Sequence, residues 1–316
     1  MATRSFSLLL CNLFVGLTKG ARGLGQYATH FKQLGYRIFR LEPVFRLDKG
    51  GKCNPDVVLS SPRRKHTLIV EWTNPTSVHD DKKDQLCRYS RVVRNDLVNT
   101  LAIPPKEADT FDILVIVSQR ATDSFAKCLT ENKYAFVLFT FLPGDDISTL
   151  QKVVGTIGDV DTDAVLSHPM SLRIPVRYIP FALDNPSAGE LVTHIVAHLV
   201  SLMARGAKAF DIDGFCAGFV SVWSVIALEK RRDISAKTKE ILTRLSRKPI
   251  GEELLSRKQR ANPPAWQLLK SPISQTNARA LRSRLQDFIS EVKGTQWQME
   301  LPFDEAPPEE TRRIDT

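Results

Sequence analysis

Two short apolar runs, Val57-Val58-Leu59 and Leu68-Ile69-Val70, are separated by the polar, turn-forming stretch Ser60 to Lys65. Their β-branched content and their Pro, Ser and Asn borders predict two strands, 54–59 and 68–73, joined as a hairpin with a loop over 61–66. That loop pairs Ser60 with Thr67, and the same register sets Asp56 opposite Glu71. A polar segment from Asn74 to Asp81 leads into a predicted helix over 80–96. On it Gln85, Tyr89 and Val92 form one stripe and Leu86, Val93 and Leu97 the next, together the buried side. Continuous apolar runs predict strands at 111–118 and 134–141, buried on both faces, with a helix at 121–132 between them. A hairpin beside a strand-helix-strand unit makes an α/β mixed sheet flanked by helices. Upstream, Phe6 to Leu17 reads as a core segment interrupted by Ser7, Cys11 and Asn12, and the apolar stretch Tyr36 to Leu41 ends at Glu42.

The pattern breaks at Leu142-Pro143-Gly144-Asp145-Asp146. Beyond it the periodicity turns mainly helical, with helices predicted at 146–156, 187–204, 213–230, 235–247, 250–260 and 277–293. Ser187-Ala188-Gly189-Glu190 is a capping box, and it starts a helix with Leu191, Ile195 and Leu199 on one side. The expected organisation is an α/β domain over 1–144, a helical domain over 145–293, and an acidic, Pro-rich disordered tail over 294–316.

The hairpin register carries chemistry. Directly opposed residues share a face, with Cβ atoms roughly 4.5–5.5 Å apart. Two carboxylates that close repel each other unless a positive charge lies between them, and a divalent cation with oxygen preference meets that need. Asp56 and Glu71 are therefore candidate metal ligands. Thr73 projects from the same face as Glu71, and Gln85 and Tyr89, one helical turn apart, point the same way.

Pro55-Asp56, Glu71 at the end of the next strand, and then Gln85 and Tyr89 on a helix resemble the PD-(D/E)xK nuclease superfamily, with Gln85 and Tyr89 similar to the QxxxY helix of its RecB-like branch. The upstream stretch Gly20 to Arg40 resembles the opening helix and first strand of archaeal Holliday-junction resolvases. The likeness covers about residues 18–142 and implies a restriction-endonuclease-like core, Mg²⁺ (or Mn²⁺) as cofactor, DNA as substrate, phosphodiester hydrolysis, and a role in DNA repair or defence, with a homodimer as the common form of enzymes that cut both strands. It also implies catalytic roles for Asp56, Glu71, Gln85 and Tyr89. The chain departs from the pattern twice: Thr73 stands where active members carry Lys, and Gln26 is the nearest match to a first-helix Glu. Lys82 or Lys83 is the candidate replacement for the lysine, and Glu42 for the carboxylate. Without them the fold would be a DNA-binding or adaptor protein that has lost hydrolysis.

Charge adds a partner class. The 316 residues include 44 Lys and Arg against 35 Asp and Glu, a net charge of +9, which favours a polyanion. Eleven Lys or Arg fall between Lys230 and Arg260 against four acids. Two amphipathic helices joined at Lys248-Pro249 fit a helix-turn-helix or winged variant, with Lys237, Lys239, Arg244, Arg257 and Lys258 as phosphate-contact candidates. An ordinary solvated basic face explains the same pattern. Gln298, Leu301 and Phe303 in the tail resemble the QxxLxF peptide that engages bacterial sliding clamps, which would make the clamp a second partner. Neither Phe6 to Leu17 nor Ile212 to Leu228 is long and apolar enough to span a bilayer, so no membrane association is expected. The five cysteines show no metal-ligand spacing and place the chain in an intracellular compartment, cytoplasm or nucleoid.

Overall fold

The computed structural model describes residues 5–74, 76–258, 265–269 and 275–300. They divide into two compact units, one holding the chain up to Asn185 with Cys216–Ile234, the other Pro186–Phe215 with the chain from Ser235.

The first unit opens with α1 (Phe6–Lys19), whose N-cap Ser5 accepts from the Leu8 amide and whose C-cap Gly20 takes the left-handed conformation (φ 71°) that a side chain would strain. There follow α2 (Gly25–Gln33), β1 (Arg37–Leu41), a small hairpin of β2 (Phe45–Arg46) and β3 (Lys52–Cys53), then β4 (Val57–Ser61), β5 (His66–Thr73), α3 (Asp80–Tyr89), α4 (Arg94–Asn99), β6 (Thr110–Ser118), α5 (Thr122–Glu131), β7 (Val137–Leu142), β8 (Ser148–Val154), α6 (Val160–Leu166) and β9 (Met170–Leu172). Seven strands form one mixed sheet in the order β1-β4-β5-β6-β7-β8-β9. The β1-β4-β5 meander is antiparallel, β5, β6 and β7 run parallel, and β8 and β9 return antiparallel. Parallel neighbours require a crossover, which α3 with α4 and then α5 supply.

Side-chain alternation assigns the two faces. Val58 and Ile69 pack with Leu86 and Tyr89 of α3 and Phe125 of α5. Trp72, on the other face of β5, stacks on Phe14 of α1 at 6.3 Å between centroids. Every residue of β4 is buried, and so is all of β5 except Thr73. Asn12, the polar interruption in the first apolar run, is fully buried. Its Nδ2 donates to Leu8 O and Ile179 O, and its Oδ1 accepts from the amides of Tyr178 and Ile179. Asn12→Ala would strand those backbone groups, and chemical denaturation is expected to show a loss of about 3 kcal/mol; a loss under about 1 kcal/mol would mean the clamp is not structural.

Several sequence expectations change. The helix expected over 80–96 breaks after Tyr89, because the Asp96 carboxylate captures the Val93 and Asp48 amides and starts α4 afresh. Val93 is consequently 39% exposed instead of buried. The helix expected at 146–156 is strand β8; Val153, Val154 and Thr149 are β-branched and fit a pleated edge better than a helix. With β8 and β9 in the sheet, the α/β unit continues past 144 to Asn185. The helix expected over 213–230 is interrupted: α8 (Ile212–Phe219) stops, Ile226 turns extended, and Ala227 donates to Leu41 O of β1 before α9 (Leu228–Ser246) begins.

In the second unit α7 (Ala188–Ala204) carries the expected capping box between Ser187 and Glu190 and buries Leu191, Ile195 and Leu199. It packs along α11 (Gln275–Glu300), which buries Leu285, Phe288 and Val292. The helix expected at 250–260 is only α10 (Pro249–Leu254), followed at once by β11 (Leu255–Lys258). With β10 (Ala209–Phe210) and β12 (Ala265–Leu268) that strand forms a three-stranded antiparallel sheet. The backbone of α11 runs through 294–300, which includes Gln298, where a disordered tail was expected; Leu301 and Phe303 lie outside the described residues.

Candidate functional site

The predicted 60–67 pairing is present: Ser60 faces Thr67 and the ladder runs to Val57 opposite Val70. It stops one step short of 56 opposite 71. The Asp56 amide donates to Val70 O, and its Oδ2 accepts from the Trp72 amide at 2.7 Å, so the carboxylate is held at the strand end by the strand that carries Glu71. Glu71 is 4% exposed and faces α3.

Three residues of α3 converge on Glu71. Lys82 Nζ lies 2.6 Å from Oε1, Gln85 Nε2 donates to the same oxygen at 2.9 Å, and Tyr89 OH donates to Oε2 at 2.7 Å. Lys82 also bonds Gln85 Oε1 at 2.6 Å. Positions 82, 85 and 89 are spaced three and four apart on α3, which brings all of them onto the stripe beneath β5. Burial, together with the charge of Glu71, pushes the Tyr89 phenol well above its ordinary pKa, so it remains a donor at neutral pH. Lys83 turns outward to Asp80 at 2.9 Å and takes no part. Thr73 is half-buried at the end of β5, and Gln26 is exposed on α2.

A third carboxylate joins the pair. Glu42 follows β1 and its amide donates to Asp56 O at 2.7 Å. Its φ of 48° is a left-handed conformation rarely taken by a long side chain, the kind of backbone strain that surrounding structure must hold in place. Burial raises the Glu42 carboxyl against the lowering effect of Lys230, 3.1 Å away; Lys230 also bonds Asp184 at 2.7 Å. Asp56 is raised well above the carboxylate range, first by burial and then by the charge of Glu71, with Glu42 adding to it and the Trp72 amide opposing. Three acids thus share one electrostatic neighbourhood. No local sequence signal marks Lys230 or Asp184, which reach Glu42 from more than a hundred residues away.

The carboxylate oxygens of Asp56, Glu71 and Glu42 are of the kind that a hard divalent cation takes as ligands. Among the described residues no three His, Cys, Asp or Glu side chains stand at ligand spacing around one point. Mg²⁺ commonly takes one or two carboxylates and completes its shell with water and substrate phosphate, and both Glu71 oxygens here already accept from Lys82, Gln85 and Tyr89.

The basic candidates are dispersed in use. Lys239 is exposed, while Lys237 Nζ bonds Pro186 O at 2.7 Å. Arg244 and Lys248 both pair with Glu291 at 2.9 Å, and their hydrogen bonds lower that carboxyl. Arg257 and Lys258 lie on β11, their side chains outside the described residues. No helix among the described residues is long and apolar enough to cross a membrane.

Residues 7–150 match the model of the MJECL32 domain. Comparison with curated proteins and with solved structures finds no match. The matched span contains Asp56, Glu71, Lys82, Gln85 and Tyr89 and excludes Lys230 and Asp184.

Proposed function

We propose that the chain is a metal-dependent DNA endonuclease of the PD-(D/E)xK type, hydrolysing phosphodiester bonds at the Asp56–Glu71 site. The observation that carries this reading is Lys82 Nζ at 2.6 Å from Glu71: a helix lysine supplies the positive charge that Thr73 cannot. The αβββαβ order, with an antiparallel meander and a parallel fourth strand, supports the resemblance stated for the sequence. The net charge of +9 suits a polyanionic substrate.

Asp56 and Glu71 would hold Mg²⁺ or Mn²⁺, with Glu42 close by. The bound ion would polarise the phosphoryl oxygens and lower the pKa of a coordinated water. Gln85 and Tyr89 fix the rotamer of Glu71. Lys82 keeps an ammonium beside the place where negative charge grows on the phosphate during attack, and in a water-poor site such a fixed charge is effective.

The direct test incubates the protein with linear, branched and single-stranded DNA in Mg²⁺ or Mn²⁺, next to Asp56→Ala. Cleavage that the substitution abolishes is the expected result; cleavage that survives it places the chemistry elsewhere. One observation favours a second reading, a binding protein that kept the fold and lost hydrolysis: both Glu71 oxygens already accept from protein donors. DNA binding with no cleavage under any metal would select it. Engagement of a sliding clamp through the chain end and assembly as a homodimer remain parts of the proposal with their own tests, peptide binding and solution mass.

A further inference from the structure

Two segments of the first unit, Lys19–Gly23 and Pro175–Tyr178, meet around a cavity of ≈ 450 Å³ at the C-terminal end of α1. Its wall carries Lys19, Arg22 and Arg177 and no acid. Specific bonds fix that convergence. Gly20 takes φ 71° and turns the chain directly after Lys19, and a Cβ on Gly23 would lie 2.6 Å from Arg173 O, so glycine lets the loop close on the connector. Arg173 N donates to Gly23 O at 3.2 Å, and Asn12 Oδ1 holds the Tyr178 amide. The cations are held in place without being neutralised. Lys19 Nζ lies 5.4 Å and the Arg177 guanidinium 5.2 Å from the Tyr178 ring centroid, and Lys19 donates to Ser221 O at 3.2 Å. Among the described residues none of the three meets a carboxylate, and Arg22 has no side-chain partner. Other cations of the unit are paired: Arg37, Arg64, Lys152 and Lys230 each lie within 3.1 Å of a carboxylate oxygen. The negative end of the α1 dipole accounts for Lys19 alone. Arg22 and Arg177 lie beyond the helix, whose Gly16 and Leu17 carbonyls already accept from the cap. A concave wall of one sign focuses its field and draws an anion.

We propose that this cavity holds a backbone phosphate of the DNA strand that reaches the Asp56–Glu71 site, as a second anchor at the far end of α1. The inference rests on the DNA part of the nuclease reading and not on hydrolysis. Its position supplies the spacing. Leu8, which lines a cavity together with Asp56, and Lys19 sit three turns apart on one stripe of α1, about 16 Å along the axis. Phosphates of one strand follow each other at about 3.4 Å of rise, so about five steps separate the two contacts. A guanidinium can grip a phosphate through two parallel N–H bonds, and Lys19 adds a point charge. Such contacts fix where the strand lies and leave the bases unread.

The test measures affinity of the full chain for one labelled duplex across a salt series, in Ca²⁺ to suppress cleavage. Arg22→Gln combined with Arg177→Gln should make the slope of log affinity against log salt shallower by about 1–2 and weaken binding about tenfold at low salt. Arg22→Gln alone, at an exposed side chain with no partner to lose, should give about half of that change in slope. The charge control is Lys127→Gln with Lys133→Gln, on and just after α5 on the opposite face of the sheet, and its slope should match the parent's. Equal effects at the two places, or a parental slope in the Arg22 variant, would overturn the proposal. So would loss of inorganic pyrophosphate binding, or of binding to phosphatidylserine vesicles, with the DNA slope unchanged, since the cavity would then serve a free anion or a membrane surface. A parent without DNA affinity would sink this site and the DNA reading together. Cleavage in Mg²⁺ that Asp56→Ala abolishes, beside an unchanged slope, would sink the site alone and leave the nuclease reading standing; a shallower slope in a protein that never cleaves would uphold the site and end the hydrolytic reading.

Discussion

Lys82→Met slows DNA cleavage by about 10²–10³-fold while DNA affinity changes little, the magnitude of losing one preorganised charge from a reaction centre. The ammonium is 2.6 Å from Glu71 Oε1 and its side chain is largely buried, so no neighbour substitutes for it; Lys83 is committed to Asp80 at the surface. Methionine keeps the aliphatic length and removes only the charge. Single-turnover rates separate this effect from binding. A rescue gives the sharper readout: Thr73 lies two residues beyond Glu71 on the same face, so Thr73→Lys in the Lys82→Met background restores an ammonium from the strand side. Recovery of tenfold or more is expected by the same electrostatic reasoning, at the level of about 1.4 kcal/mol. If Lys82→Met cuts as fast as the parent, the helix lysine is a structural partner of Glu71 and the proposed mechanism fails.

Asp56→Asn abolishes cleavage and at the same time stabilises the metal-free protein at neutral pH. Burial and then the Glu71 charge raise the folded-state pKa of Asp56, whereas the unfolded chain titrates near 3.9. Between those two values the folded state holds more protons than the unfolded state, so stability falls as pH rises through the window and stays reduced above it. Asparagine is uncharged, keeps an oxygen for the Trp72 amide, and escapes that penalty. Thermal melts at pH 7–8 should show the variant a few degrees above the parent. Mg²⁺ should raise the parent's midpoint and leave the variant's unchanged, because only the parent has both proposed ligands. Equal shifts in the two proteins would detach Asp56 from metal binding.

Local information sufficed for part of this site. The 60–67 register follows from turn length and alternation, and the face shared by Lys82, Gln85 and Tyr89 follows from helical spacing. The failures are equally physical. The end of α3 at Tyr89 depends on Asp96 capturing the Asp48 amide, a contact across 48 positions that no propensity of residues 80–96 encodes. The β8 segment joins the sheet because β7 offers a free edge, and edge availability belongs to topology.

By itself the sequence determined the α/β class, the hairpin with its two acids, and the helix that serves them, because each depends on periodicities of two or 3.6 residues within short windows. Tertiary structure alone decided which lysine meets Glu71, that Glu42 lies beside Asp56, and that Lys230 offsets its charge. Those outcomes rest on burial and on charges brought together from distant segments, and such interactions come into being only when the chain has packed.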